Sequence, residues 1–137
     1  MHLHVHAVTD VGRQRTVNED AHAVLELGAD QYLLLVCDGM GGHEGGQVAS
    51  TAARDYLTWR LRDLEGKPPP EAIFAALHGA NDAVIEAGQA QGLPSAGSTA
   101  VLALVAGPRY WLGWVGDSRV YHFRGRDLVE RSHDHTR

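Results

Sequence analysis

The sequence predicts an α+β sandwich in which helices cover one face of a mostly antiparallel sheet. Three observations lead to this prediction: strand-like segments come first, two segments of helical periodicity follow, and further strand-like segments end the chain. A length of 137 residues with 44% hydrophobic residues fits one domain, taken as residues 1–137.

The first strands are predicted from alternation and apolar content. Residues 2–8 alternate polar and apolar side chains, which is typical of a half-buried strand. Residues 21–27 are predicted as a second strand, and residues 31–37 as a third that is buried, because it is almost wholly apolar. Gly28-Ala29-Asp30 between them favours a hairpin turn.

The helical part follows a glycine-rich loop. Apolar side chains at helical spacing predict a helix over residues 46–64, namely Val48, Ala52, Tyr56, Leu57, Leu61 and Leu64. Prolines at positions 68–70 stop this helix and suit the first turn of a second one. The remaining strands are predicted in two pairs, residues 99–105 with 110–115 and residues 120–123 with 127–129.

Charge and cysteine content exclude several classes of function. A formal net charge of −5 argues against nucleic acid as the main partner, since nucleic-acid-binding domains usually carry a basic face. The single cysteine, Cys37, excludes an intramolecular disulfide and fits a reducing compartment. No stretch approaches the roughly 20 apolar residues that cross a bilayer. We therefore expect a cytoplasmic monomer with neither nucleic acid nor a membrane as partner.

The candidate centre of chemistry is Asp38-Gly39, where an apolar strand ends in a carboxylate and a glycine-rich turn begins. Separated carboxylates without further cysteines are typical of sites for hard divalent cations. A bridging Asp38 carboxylate would hold two cations roughly 3.5–4 Å apart, close enough to share and deprotonate one water. The Gly39 carbonyl would add a neutral ligand. The alternative is a turn that simply ends a strand.

Asn18-Glu19-Asp20 supplies further acid groups. Adjacent residues of a strand point to opposite faces, so one carboxylate faces the site while the other caps or orients. We favour Asp20 as the site-facing residue, with Glu19 as its competitor. Arg15 is the candidate phosphate clamp, because a guanidinium offers two parallel donors to two phosphate oxygens, and Arg13 is its rival.

A further acid, Asp117, lies in Gly116-Asp117-Ser118-Arg119 at the turn after a predicted strand. Asp117 is a candidate ligand for another metal or an organiser of bound water, against the alternative of a structural turn. Ser98 lacks a nearby base that would make it a nucleophile. A nucleotide-binding loop at residues 39–46 is a weak alternative, since the Gly-Lys-Ser/Thr ending is absent.

Four groups of residues carry a wider pattern: Thr9-Asp10-Val11-Gly12 with Arg15 and Asn18-Glu19-Asp20-Ala21, then Val36-Cys37-Asp38-Gly39-Met40-Gly41-Gly42-His43, then Gly97-Ser98-Thr99-Ala100, then Val115-Gly116-Asp117-Ser118-Arg119-Val120-Tyr121. In this order they resemble the 2C-type metal-dependent protein serine/threonine phosphatases. The Met-Gly-Gly-His form resembles the bacterial branch.

The resemblance implies an α-β-β-α sandwich and hydrolysis of phosphoserine or phosphothreonine in proteins by a metal-activated water. It implies two manganese or magnesium ions, with a third at Asp117. It also implies that Arg15 binds the phosphate, Asp38 bridges the metals, Gly39 binds through its carbonyl and Asp20 lies near the metal centre.

Two departures from the family pattern matter. Met40 stands where some members have a histidine proposed as general acid, so water or His43 would have to protonate the leaving group. The family's catalytic domain is also longer, with later metal-binding aspartates, so the chain corresponds to its N-terminal portion. We therefore expect these 137 residues alone to be a weak or inactive phosphatase. The alternative is a degenerate phosphatase-like module that binds phosphoproteins or a partner without catalysis.

Overall fold

Two helices pack on an antiparallel sheet in a computed structural model that describes residues 3–12, 18–41 and 44–133. Arg13, Arg15 and His43 lie outside the described residues. In chain order the elements are β1 Asp20–Gly28, β2 Gln31–Met40, α1 Gly45–Leu61, α2 Pro69–Ala90, β3 Gly97–Ser98, β4 Ala100–Ala106, β5 Arg109–Val115, β6 Tyr121–Arg124 and β7 Asp127–Arg131.

The main sheet has the strand order β1-β2-β4-β5, and the short strand β3 pairs with the end of β2. All of its pairings are antiparallel, and β6 and β7 form a separate antiparallel hairpin. This arrangement confirms the predicted α+β class with mainly antiparallel sheets. Among the described residues, both helices belong to one layer, and the second sheet consists of the β6–β7 hairpin.

The two faces of the main sheet differ in cover. Leu33, Leu35 and Cys37 of β2 are buried on the helix face. Residues 34, 36 and 38 point to the opposite side, which we call the outer face, and there Val36 is 44% exposed. The apolar sequence of β2 had suggested that this strand is buried on both faces. In the structure it is buried only on the helix face.

Both helices pack against the helix face of the sheet, and many of their buried residues are small. Every fourth residue of α1 is buried, namely Gly45, Ala49, Ala53, Leu57 and Leu61. The stripe of α2 has the same spacing, with Ala72, Ala76, Ala80, Val84 and Gly88 buried. Small residues allow close approach to the sheet: a Cβ added at Gly113 of β5 would lie 2.4 Å from Ile73 Cγ2. The predicted helical periodicities are confirmed, although α1 ends at Leu61 rather than at residue 64.

The strand predicted over residues 2–8 is wrong, because the described residues 3–12 form neither helix nor strand. Most of this segment is exposed, and Asn18 Nδ2 donates a hydrogen bond to Thr9 Oγ1 across 2.8 Å. A strand requires a neighbour for its backbone groups, and side-chain alternation specifies none. Neither α1 nor α2 is long and apolar enough to span a bilayer.

Candidate functional site

Asp20 and Asp38 are opposite each other in the antiparallel register of β1 and β2. Residues paired in this way point to the same face of a sheet, with Cβ atoms roughly 5 Å apart. Both side chains are exposed, and they lie where the first strand begins and the second approaches its end. Two like charges in this position destabilise a strand pair, so the arrangement suits a cation between them.

Glu19 has a different environment from its neighbour Asp20. A Cβ added at Gly46 would lie 1.7 Å from Glu19 Oε2, so the carboxylate packs against the first turn of α1. The Glu19 carbonyl also accepts a hydrogen bond from the Gly39 amide at 3.0 Å. Negative charge is favourable at a helix N-terminus. This geometry favours Asp20 over Glu19 as the residue beside Asp38.

Residue 39 must be a glycine, because backbone atoms of neighbouring segments leave no space for a side chain there. A Cβ added at this buried residue would lie 1.8 Å from the Gly46 carbonyl oxygen and 2.9 Å from the Glu19 carbonyl oxygen. Both obstacles are backbone atoms, which cannot rotate away as a flexible side chain would. The absence of a side chain at residue 39 therefore lets the end of β2, the segment before β1 and the start of α1 meet at one point.

Cys37, although adjacent to Asp38, is removed from the chemistry of the site. Its side chain is fully buried on the helix face, and burial raises the pKa of the thiol to about 12, against a smaller lowering by the positive charge of Arg54. The protonated thiol is a poor nucleophile and a poor metal ligand at neutral pH. The site therefore offers oxygen ligands.

Asp117 lies in an exposed loop after β5, and this loop is tied to Asp38 through Thr99. Thr99 Oγ1 accepts a hydrogen bond from the Asp38 amide at 3.0 Å and lies 2.5 Å from Ser118 Oγ. Ser98 Oγ donates to the Asp38 and Thr99 carbonyl oxygens at 3.3 and 2.7 Å. Ser98 therefore contributes hydrogen bonds to the backbone on both sides of this junction.

Sequence reasoning missed Thr99. Its signal in the sequence is a hydroxyl residue at the start of an otherwise apolar strand, a position where a buried side chain must find hydrogen-bond partners. Those partners, 61 residues upstream and 19 residues downstream, emerge only in the folded chain.

The described residues supply some of the ligands that a metal centre needs, but not a complete set. In the ranges 3–12, 18–41 and 44–133, no three His, Cys, Asp or Glu side chains meet in a group that could hold a metal ion. Asp20 and Asp38, paired across β1 and β2, nevertheless offer carboxylate oxygens, the donor type that suits manganese or magnesium better than softer metals. The donor chemistry fits the expected ions, with fewer protein ligands than a complete two-metal site needs.

A cavity of about 730 Å³ opens beside the Asp117 loop, between α2 and the ends of β4 and β5. Its walls are mainly apolar, from Leu77, Val84 and Ile85 on the helix, while Ser98 and Asp117 form its polar end.

The model of the protein family described as protein phosphatase 2C matches residues 11–137. The chain belongs to this family. The serine/threonine phosphatase stp of Listeria monocytogenes is 32% identical over 139 residues, which cover 98% of this chain and 55% of that protein. The chain thus spans about half the length of this curated relative.

Solved structures agree with the family assignment. One match is a crystal structure of a bacterial serine phosphatase, with a TM-score of 0.79 and 33% identity. The match covers 93% of the chain described here and 53% of the chain in that crystal structure. A second match is the catalytic domain of serine threonine protein phosphatase PstP, solved with two manganese ions. It has a TM-score of 0.72 and 36% identity, and the match covers 88% of this chain and 50% of the PstP chain.

Proposed function

We propose that this chain forms the N-terminal part of a metal-dependent protein serine/threonine phosphatase. The observation that carries the proposal is the Asp20–Asp38 pair, held on one face of the sheet beside a glycine that admits no side chain. Family membership and the two manganese ions of the PstP structure support the same function. The substrate class is a protein that carries phosphoserine or phosphothreonine.

In this proposal Asp38 bridges two cations, Asp20 lies beside them, and the Gly39 carbonyl supplies a neutral oxygen. Manganese or magnesium ions, when bound, supply a water acidic enough to be deprotonated near neutral pH. Arg15, which lies outside the described residues, binds two oxygens of the phosphoryl group and orients it. The P–O bond to the serine or threonine oxygen breaks, and the products are a free hydroxyl group and inorganic phosphate.

The proton for the leaving oxygen must come from a group other than Met40. This side chain is 56% exposed at the end of β2, and a thioether has no proton to donate. Water or His43 has to supply the proton. Asp117 is assigned to a third cation, which its exposed loop position leaves accessible.

A second candidate function is a phosphoprotein-binding module without catalysis. It is favoured by the finding that, in the described ranges, no third His, Cys, Asp or Glu side chain joins Asp20 and Asp38 in a metal-binding group. Two cations held by so few carboxylates are under-neutralised and bind weakly. We therefore expect low turnover from this chain alone.

Manganese titration and a phosphothreonine peptide separate the two functions. The phosphatase proposal predicts weak manganese binding and slow, manganese-dependent release of phosphate, both lost in Asp38→Ala. Arg15→Ala should raise KM, and Arg15→Lys should not restore it, since an ammonium group lacks the two-donor fork. Peptide binding without manganese binding or hydrolysis would favour the binding module. Turnover equal to that of a full-length relative would refute the expectation of low activity.

The cytoplasmic location, the monomeric state and the absence of nucleic-acid and membrane partners stay predictions. Gel filtration with light scattering checks the monomeric state.

A further inference from the structure

Thr99 occupies the junction between the two acidic parts of the candidate site. Its side chain is 4% exposed, and it lies between the end of β2, which carries Asp38, and the loop that carries Asp117. Thr99 lies between β3 and β4, and a buried hydroxyl there is costly unless its hydrogen-bonding capacity is used. The partners of Thr99 therefore indicate what the residue does.

Thr99 binds both backbone groups of Asp38. The Asp38 amide donates to Thr99 Oγ1 at 3.0 Å, and the Thr99 amide donates to the Asp38 carbonyl oxygen at 2.9 Å. These two bonds hold the peptide groups on either side of the Asp38 side chain. They thereby fix the direction of the Cα–Cβ bond from which the carboxylate extends.

The same hydroxyl reaches the Asp117 loop. Thr99 Oγ1 lies 2.5 Å from Ser118 Oγ. A threonine hydroxyl has one hydrogen and two lone pairs, so it accepts from the Asp38 amide and also bonds Ser118, with either oxygen as the donor. One oxygen atom thus connects Asp38 to the residue that follows Asp117.

The residue that precedes Asp117 also packs on Thr99. Gly116 has a φ of +97°, and a Cβ added there would lie 2.7 Å from Thr99 Cγ2. Glycine is favoured at this position by both the backbone angle and the close approach. Asp117 is therefore flanked on both sides by residues that contact Thr99, one through its methyl group and one through its hydroxyl.

We propose that Thr99 is a positioning residue that holds the Asp117 loop in a set relation to Asp38, and that this relation sets the affinity of each carboxylate for metal. This inference rests on the proposed function and adds a role for a residue that binds no metal itself. Thr99 acts through Ser118 and Gly116 on Asp117, and through two backbone bonds on Asp38.

Four variants of the full chain test this role. Thr99→Val removes the hydroxyl and keeps the shape, whereas Thr99→Ser keeps the hydroxyl. Ser118→Ala cuts the bond to the loop and leaves the Asp38 bonds in place. Thr58→Val is the matched control, since Thr58 Oγ1 also makes hydrogen bonds, to the Arg54 and Asp55 carbonyl oxygens of α1, away from the site.

The main readout is the broadening of backbone amide NMR signals by paramagnetic manganese, followed separately at Asp20, Asp38 and Asp117. Ser118→Ala should weaken apparent manganese affinity at Asp117 roughly fivefold, the effect of losing one hydrogen bond, and change affinity at Asp20 and Asp38 less. Thr99→Val should weaken binding at all three residues. Thr99→Ser should restore it, and Thr58→Val should leave it unchanged.

If Thr99 had a purely structural role, its substitution would lower the melting temperature, and manganese affinity at Asp117 would not change more than affinity at Asp20 and Asp38 in Ser118→Ala. Equal manganese titrations of Thr99→Val and the unsubstituted chain at Asp117 would overturn the inference. So would broadening of Asp20 and Asp38 in the unsubstituted chain without any at Asp117.

Failure of the proposed function has a separate signature, which is no broadening at Asp20 or Asp38 in the unsubstituted chain. Hydrogen exchange without metal then decides whether the tether exists. Exchange of the Asp38 amide, which donates to the Thr99 hydroxyl, should accelerate in Thr99→Val but not in Thr99→Ser, and equal rates in all variants would overturn the inference.

Discussion

Asp20 and Asp38 face each other directly across β1 and β2, two acidic side chains in one cross-strand pair. Folding stability alone would favour an opposite charge or an apolar residue at one of these positions. In the proposed function the pair binds cations, and the metal-free chain is correspondingly less stable.

Asp20→Asn should therefore have opposite effects on stability and on binding. It removes the repulsion across the strands, so the metal-free chain should gain about 0.5 kcal/mol in free energy of unfolding. The same change should weaken manganese binding at least tenfold, because an amide carries no charge. Urea unfolding and manganese titration measure the two effects.

Asp82→Asn serves as the control, because Asp82 is an exposed acid on α2. It should change neither quantity appreciably. A loss of stability in metal-free Asp20→Asn would contradict the view that the carboxylate pair is held together against repulsion.

Gly39→Ala should destabilise the fold by about 3 kcal/mol or prevent folding, because the new Cβ would overlap backbone atoms of Gly46 and Glu19. Gly28→Ala is the matched control in β1. A Cβ there would meet only the flexible end of the Gln31 side chain, at 3.3 Å. Urea unfolding of both variants checks the prediction, and equal midpoints would contradict the close packing inferred at Gly39.

Cys37 should make the stability of the chain depend on alkaline pH. The thiol has a pKa of about 12 in the folded chain against an ordinary value of 9.0. Above pH 9 the unfolded chain loses this proton while the folded chain keeps it. Stability therefore falls as pH rises, by up to about 1.4 kcal/mol per pH unit from this group.

The measurement is the free energy of unfolding at several pH values from 8 to 10.5, in the native sequence and in Cys37→Ala. The decline in the free energy of unfolding with pH should be less steep in Cys37→Ala. The comparison of slopes does not depend on the stability of the variant at pH 8, and the other groups that titrate in this range are present in both proteins. Parallel curves would show that burial does not shift the thiol in this way.

Tyr110→Phe should loosen the β6–β7 hairpin. The Tyr110 hydroxyl donates to Glu130 Oε2 at 2.6 Å and lies 2.7 Å from His122 Nδ1, so it joins β5 to both strands of the hairpin. The bond to Glu130 is also the main cause that raises the pKa of Tyr110. Amide hydrogen exchange over residues 121–131 should accelerate in the variant.

Tyr32→Phe is the control for Tyr110→Phe, since Tyr32 and Tyr110 both pair with Val105 on the outer face through the ladders of β4. Exchange in the hairpin should be unchanged in Tyr32→Phe. Equal acceleration in both variants would indicate a general loosening of the sheet instead of a local tether.

Much of the architecture was predictable because it depends on local periodicity. The helical spacing of apolar residues in α1 and α2 and the prolines at the start of α2 are visible without a structure. The segment 2–8 shows the limit of this approach. Its alternation is strand-like, yet the described residues 3–12 form no strand, since alternation does not supply a pairing neighbour.

The sequence by itself indicated which residues to propose for the chemistry: Asp20, Asp38, Gly39 and Asp117 were selected by residue type and by position near the ends of predicted strands. Only the tertiary structure decided their relations. The register of β1 and β2 puts Asp20, rather than Glu19, opposite Asp38, and the hydroxyl of Thr99 joins residues 38 and 118. The physical reason is that periodicity is a property of neighbours in sequence, whereas register and buried hydrogen bonds depend on pairings made across the whole fold.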